Sequence, residues 1–536
     1  MKKNHLYKNS FTKYILPSII TIGIFQSCTK DFEKLNTNPY QPTDEMLNYD
    51  NVKIGGFFTQ LEKNVKPIGT AAESTGPANN YQIAFNLSSD NWSGYMAPGE
   101  NKFNNGSNFT TYYFITNWND GTFNTLFTSV FNPYIQLKSN IDSSKSPELL
   151  ALADIVKISG IHQATDMYGP IPYAGVGSGA LTNPYQSQQT VYNTFFTELT
   201  NAINVLTQYS AANSTILPDY DAVYNGNVTK WIQYANSLML RLAMRIVYAD
   251  PTTAQKYAEQ AVNNSFGVIT DTKNGAQLSA GAGLTFVNPI TILWQDYKDT
   301  RFGASLLSYL TGYNDPRLPA YCSQATVNGI TNYYGVRTGT ADINYTSLSA
   351  PNIPNTQPMY WMKASEVSFL RAEGAARNWN MGGTAASFYT QGITNSFTEN
   401  GVSSTSYISD NTSKPAGYTN PITSSENTAA VGTATIAWDE SASFEIKLEK
   451  IITQKWIAIF PNGQEAWSEY RRTGYPKLFP ILVNTSGGAV STSQGVQRMP
   501  YPPSEYSTNG TNVNAAVANL LSGPDNGGTK VWWNKK

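Results

Sequence analysis

Two cysteines, two histidines and a modest set of carboxylates bound the chemistry open to this chain. Cys28 follows a basic start (Lys2, Lys3, Lys8, Lys13) and an apolar stretch from Ile15 to Phe25. A stretch of about 11 residues is too short to span a bilayer as a helix but has the length of a secretory h-region. Phe25-Gln26-Ser27-Cys28 then has the form of a lipobox, in which a small residue precedes the cysteine that receives lipid. The predicted mature chain therefore begins at Cys28, behind a lipoprotein signal peptide of residues 1–27. Phe25 and Gln26 stand where lipoboxes carry Leu and a small residue, so an ordinary signal peptide cut elsewhere, or an uncleaved anchor, stays open as the alternative.

With Cys28 lipidated, Cys322 is left alone, which excludes an internal disulfide and a cysteine metal cluster. His5 goes with the signal, so any Ser-His-Asp arrangement has only His162, and a multi-histidine zinc site cannot be built. His162 sits in a helical pattern and reads as packed or capping. No cofactor and no metal site are expected, and no Asp-rich loop has EF-hand spacing. The chemistry that needs neither His nor Cys is glycoside hydrolysis by two carboxylates, for which Asp90 and Asp296 are the conceivable pair.

Binding leaves a broader trace. Only 14% of residues are charged, against roughly 25% in ordinary domains, while 13% are aromatic. Loss of the four signal lysines takes the net charge from −1 to −5. That mild acidity gives no footprint for nucleic acid or for an anionic lipid surface. A neutral hydrogen-bonding surface with many Tyr and Trp suits uncharged, polyhydroxylated ligands. Three runs are candidates for ligand contact: Asp90-Asn91-Trp92 with Tyr95, Trp294 with Asp296 and Tyr297, and Trp361 beside Tyr360. For each aromatic, core packing is the competing reading.

Helices must position these residues. Apolar spacing predicts helices over 148–168, 190–209, 228–248 and 251–264, the last started by Asp250-Pro251. A second group is predicted over 365–378 with Ser365 as N-cap, 384–399, 441–460, and 463–473 stopping at Gly474. Successive helices joined by short turns resemble tetratricopeptide-type hairpins, although no regular 34-residue identity pattern is present. Residues 265–363 and 401–436 are rich in Gly, Asn, Thr, Ser and Pro and read as insertions. Aromatics in 265–363 point to ordered surface, with short strand-like runs such as Tyr333-Tyr334-Gly335-Val336. The Ser/Thr density of 401–436 favours plain solvated loop.

Several segments resemble one family. They are Asp31-Phe32-Glu33-Lys34-Leu35-Asn36-Thr37-Asn38-Pro39, Asp166-Met167-Tyr168-Gly169-Pro170-Ile171-Pro172-Tyr173, and Ala235-Asn236-Ser237-Leu238 running on to Arg245. Asn314-Asp315-Pro316-Arg317-Leu318 and Glu366-Val367-Ser368-Phe369-Leu370-Arg371-Ala372-Glu373 follow. The most specific runs from Gln454-Lys455-Trp456 through Glu465-Ala466-Trp467-Ser468-Glu469-Tyr470-Arg471-Arg472-Thr473-Gly474-Tyr475-Pro476. Arg498-Met499-Pro500-Tyr501-Pro502 and Lys530-Val531-Trp532-Trp533 complete the set. In order and spacing the chain resembles the SusD/RagB family of nutrient-binding lipoproteins, in its SusD-like branch. Read as residues alone, Glu465, Trp467, Tyr470, Arg471 and Arg472 share one helix and offer carboxylate–guanidinium pairing and aromatic packing, a structural role.

The resemblance implies a mainly α fold, the SusD-like fold: tetratricopeptide-like helical pairs decorated by long irregular loops and a few short β-hairpins. It implies one domain over 28–536, with 28–45 as a lipid-anchored tether. It further implies a lid on a SusC-type TonB-dependent outer-membrane transporter, binding an oligosaccharide, or in some members a peptide, without catalysis. Lys30, Asp31 and Glu33 resemble the charged signal that sends lipoproteins to the surface of glycan-foraging Gram-negative bacteria. The expected location is the outer membrane, held by lipid alone and facing outward.

Overall fold

Antiparallel helix pairs make the frame, in a computed structural model that describes residues 51–536 except 69–75, 282–283 and 341–343. Cys28, the signal over 1–27, the tether over 28–45 and the Asp31–Pro39 run lie outside the described residues. Residues from Ile54 to Lys536 cluster as one unit.

The chain enters through α1 (Val52–Val65) and α2 (Gly76–Tyr81), which continues as wide π-type turns over Gln82–Asp90. After β1 (Met96–Pro98) come α3 (Thr116–Phe123) and α4 (Ser129–Asn140). The long α5 (Pro147–Tyr168) is buried over nearly all its length after its first turn. Behind β2 (Ile171–Pro172) and β3 (Tyr185–Gln186), α6 (Gln188–Ser210) folds back against α5.

The next pair is α7 (Val228–Arg245) and α8 (Pro251–Val262). Asn227 accepts from the Lys230 N–H at 3.0 Å and caps α7, whose Trp231, Ala235, Leu238 and Leu242 are buried. Asp250 accepts from the Thr253 N–H at 3.0 Å ahead of Pro251, which needs no donor at the first helical position.

The 265–363 insertion is ordered. It holds β4 (Ala276–Leu278), β5 (Thr300–Phe302), α9 (Ala304–Gly312), β6 (Ala325–Val327), β7 (Ile330–Asn332) and β8 (Met359–Met362). The pairs β2–β3 and β6–β7 are local. In contrast, β1 pairs antiparallel with β5 (Met96 opposite Phe302), stitching the insertion to distant chain, while β4 pairs with β8 and joins the two ends of the insertion itself. The Tyr333–Val336 run is not a strand; Val336 makes a single bridge to Gly303.

The third pair is α10 (Ala364–Ala376) and α11 (Ala385–Glu399), against which α12 (Phe444–Ala458) packs, with α13 (Gly463–Thr473) following. Gly474 closes α13 in the left-handed region at φ +77°. Ser365 is not the N-cap of α10. It lies inside the first turn, and its N–H donates to Glu399 Oε1 at 3.0 Å, so the end of α11 caps the start of α10. Nor is 401–436 plain solvated loop: Tyr407 is buried and donates to Asp315 Oδ2 at 2.6 Å.

Charge lies at the heart of the frame. Arg241 grips Glu366 through Nε–Oε1 at 2.8 Å and Nη2–Oε2 at 2.7 Å, and Lys455 meets Glu465 at 2.8 Å. Arg245 bonds both Glu465 and Glu469. Every one of these groups is buried, and each salt bridge ties one helix to another. Pairing of this completeness is what makes buried ions tolerable.

Candidate functional site

Trp294 lies at the surface on a wide π-type turn, Ile292–Asp296, entered through Asn288 and Pro289. The Asn288 side chain caps the Ile290 N–H at 3.0 Å and donates to the Gln357 carbonyl at 2.9 Å, fixing the turn against the 352–357 strap. Trp294 Nε1 donates to Ile353 O at 3.0 Å, and Thr291 Oγ1 to the same oxygen at 2.8 Å. The indole is thus held by its N–H while its half-buried ring borders a cavity of about 400 Å³.

Gln295, Asp296, Asn352 and Asn355 share that wall, all four exposed. Tyr297 is half-buried next to them, its hydroxyl donating to Asn79 Oδ1 at 3.0 Å. One aromatic surface in a fixed orientation, ringed by amides and a carboxylate, can cover an apolar sugar face while bonding its hydroxyls. Asn352 and Asn355 escaped the sequence reading. The Pro351-Asn352-Ile353-Pro354-Asn355 alternation was their available signal, two stiff prolines presenting two amides.

Trp92 does not join Trp294. It is 6% exposed, its Nε1 donates to Phe109 O at 2.9 Å, and its ring lies 4.8 Å from that of Trp467. Asp90 is enclosed as well. It accepts from the Tyr81 hydroxyl at 3.1 Å, and burial pushes its carboxyl up to about 6 against the pull of Lys66. Tyr95 donates to the Trp456 carbonyl and stacks on that indole at 5.4 Å. Asn91 lines a separate cavity of about 250 Å³, where neither end of its buried amide has a partner. Trp361, 2% exposed, packs against Tyr234 and Trp231.

Asp90, Tyr95 and Trp361 are therefore enclosed in this structure, a correction to their reading as surface contacts, while Trp92, 6% exposed, lines the Asn91 cavity. For Trp92 and Tyr95 the physical reason is that an amphipathic aromatic with a satisfied N–H or O–H is worth more inside than out, whereas Trp361 is held by ring packing, its Nε1 having no partner. Asp90 and Asp296 likewise do not meet, one being enclosed and the other on a surface rim.

His162 is packed, as its helical setting suggested. Its Nδ1 lies 2.9 Å from Ile158 O, and burial with the nearby Arg241 drives it down to about 3. Cys322 is buried, and burial raises its thiol. Among the described residues no three His, Cys, Asp or Glu side chains gather as metal ligands. Among them, too, no helix is long and apolar enough to cross a membrane.

A family model described as SusD-like, Susd and RagB outer membrane lipoprotein, matches residues 34–534. No curated protein sequence matches. Among solved structures, a chitin-binding SusD homologue from Flavobacterium johnsoniae is 41% identical at a TM-score of 0.85, the match covering 90% of this chain and 98% of that one. A SusD homologue from Bacteroides thetaiotaomicron is 36% identical, with a TM-score of 0.82 and coverage of 91% and 100%. One from Bacteroides ovatus is 37% identical, with a TM-score of 0.83 and the same coverage.

Proposed function

The chain belongs to the SusD/RagB family of outer-membrane lipoproteins, and from that membership we propose that it captures an oligosaccharide at the cell surface and passes it to a SusC-type TonB-dependent transporter as its lid. The observation that carries the ligand class is the Trp294 cavity: a pinned indole with Gln295, Asp296, Asn352 and Asn355 around it. The 41% identity to a chitin-binding relative makes oligomers of N-acetylglucosamine the first ligands to test. Lipid on Cys28 would tether the lid while it swings.

Binding is the whole activity in this reading. A two-carboxylate hydrolase needs both acids beside one bond, at about 5–9.5 Å separation, with room for sugar between them. Asp90 lies enclosed under Tyr81 and offers no such face.

Calorimetric titration of the mature chain with N-acetylglucosamine oligomers tests the ligand class. Saturable binding is expected, lost in Trp294→Ala without a change in melting temperature. Affinity that survives in Trp294→Ala would overturn the site assignment, and reproducible release of reducing ends would overturn the absence of catalysis. Copurification of a barrel with the tagged chain from outer membranes tests the partner.

A further inference from the structure

Arg471 is a buried guanidinium without a counter-ion. On α13 it is 5% exposed, layered between the rings of Trp467 at 3.4 Å and Trp533 at 4.8 Å. Nη1 donates to the carbonyls of Asp166 and Gln497, Nη2 donates to Ser468 Oγ, and Nε has no acceptor. Among the described residues no carboxylate forms an ion pair with it, whereas its neighbour Arg472 holds both Glu373 and Glu469. Burial drives the Arg471 pKa down to about 9 against the pull of the Asp166 charge, which lies beyond ion-pair distance. An enclosed cation satisfied only by neutral groups is costly, and a ligand that brings an anion lowers that cost.

Space for such a ligand is present. Arg471 borders a cavity of about 370 Å³ whose wall includes Lys477, Lys530 and Lys536 and no Asp or Glu. The Lys477 ammonium donates to the Gly474 carbonyl at 3.1 Å, that of Lys530 to the main-chain oxygen of the last residue, Lys536, at 3.0 Å, and Lys536 Nζ pairs with Glu445. Ser493 and Gln494 add hydroxyl and amide groups, and Asn534 Oδ1 is buried without a donor. A volume of this size lies within the range of small-molecule sites.

We propose that this cavity is a second binding site, sharing no wall with that of Trp294, and that it takes an acidic sugar of the hexuronate class. The carboxylate meets Lys477 and Lys530 in the field of Arg471, while the hydroxyls meet Ser493 and Gln494. The site goes beyond the transport reading and stands without it.

The test titrates the mature chain with galacturonate, galactose and inorganic sulfate. Galacturonate is expected to saturate, more weakly as salt rises, and galactose is not. Lys477→Gln with Lys530→Gln, both exposed positions, is expected to weaken galacturonate by at least about tenfold with an unchanged melting curve. Equal binding of galactose, sulfate as tight as galacturonate, no saturation by galacturonate, or full affinity in the double variant would each overturn the proposal. Loss of galacturonate binding in Trp294→Ala would also overturn it, by placing the acid in the first cavity.

Discussion

Arg472 and Glu373 face each other across α13 and α10 in a two-pronged ion pair, Nη1–Oε1 at 2.8 Å and Nη2–Oε2 at 2.6 Å. Both are buried, and the same guanidinium also holds Glu469 at 2.6 Å. Arg472→Met leaves two enclosed carboxylates short of a cation, and such breakage costs about 3–5 kcal/mol. Urea unfolding should show a lower midpoint for Arg472→Met, with Arg472→Lys between it and the parent because it keeps charge but loses the fork. A midpoint equal to that of the parent in Arg472→Met would refute the pair's role.

The same cluster sets an acid limit. Burial alone would raise Glu465, but Arg245, Lys455 and Arg241 override it and hold the carboxyl down to about 2. A folded-state pKa below the unfolded value means that the unfolded chain binds the proton more readily. The resulting stability is complete above about pH 4.5, the ordinary glutamate value, and is lost as pH falls toward about 2. Glu465→Gln should flatten this part of the stability–pH curve while lowering stability at neutral pH. Parallel curves for variant and parent would contradict the assignment.

Trp92 and Trp294 should separate cleanly under mutation. Trp92→Ala empties a packed site against Trp467, Phe109 and Phe114, and core Trp-to-Ala changes cost about 3–5 kcal/mol. Trp294→Ala removes a half-buried ring from a surface cavity and should leave thermal unfolding nearly unchanged. Differential scanning calorimetry of the two variants decides the point, and similar losses in both would contradict it.

These contrasts mark what the residue pattern could convey. Helix positions were legible because Val228–Arg245 and Gly463–Thr473 carry their own caps and apolar spacing. Family runs were legible because Arg241, Glu366, Glu465 and Arg472 must all be present for one buried network to balance. Ligand contacts were less so. Trp92 and Trp294 both sit among Asp, Asn, Ser and Gln, and only long-range packing onto Trp467 takes one of them inside. Ser365 misled for a similar reason: its local spacing suits a cap, yet Glu399 from the next helix takes that role. Asn352 and Asn355 reach the Trp294 cavity through pairing across the insertion, as when the Asn288 N–H donates to Asn355 O at 2.8 Å.

A final prediction concerns how closely α13 approaches the turns that end at Asp90. A methyl group at Gly463 would stand 2.5 Å from the Asp90 Cα and 2.8 Å from its amide nitrogen. These are backbone atoms that no side-chain rotation can move, so α13 would have to shift. That shift would pull on Glu465, two residues along, and hence on Arg245 and Lys455. Gly463→Ala should cost about 1–3 kcal/mol, the usual range for overpacking, although alanine is the better helix former. Gly56 supplies the control: it is an exposed glycine inside α1 with nothing within 4 Å of an added methyl. Gly56→Ala should stabilise by up to about 1 kcal/mol through helix propensity alone. Opposite shifts in thermal midpoint are therefore expected from one and the same substitution. If Gly463→Ala also stabilised, close approach to Asp90 would not be what requires glycine there.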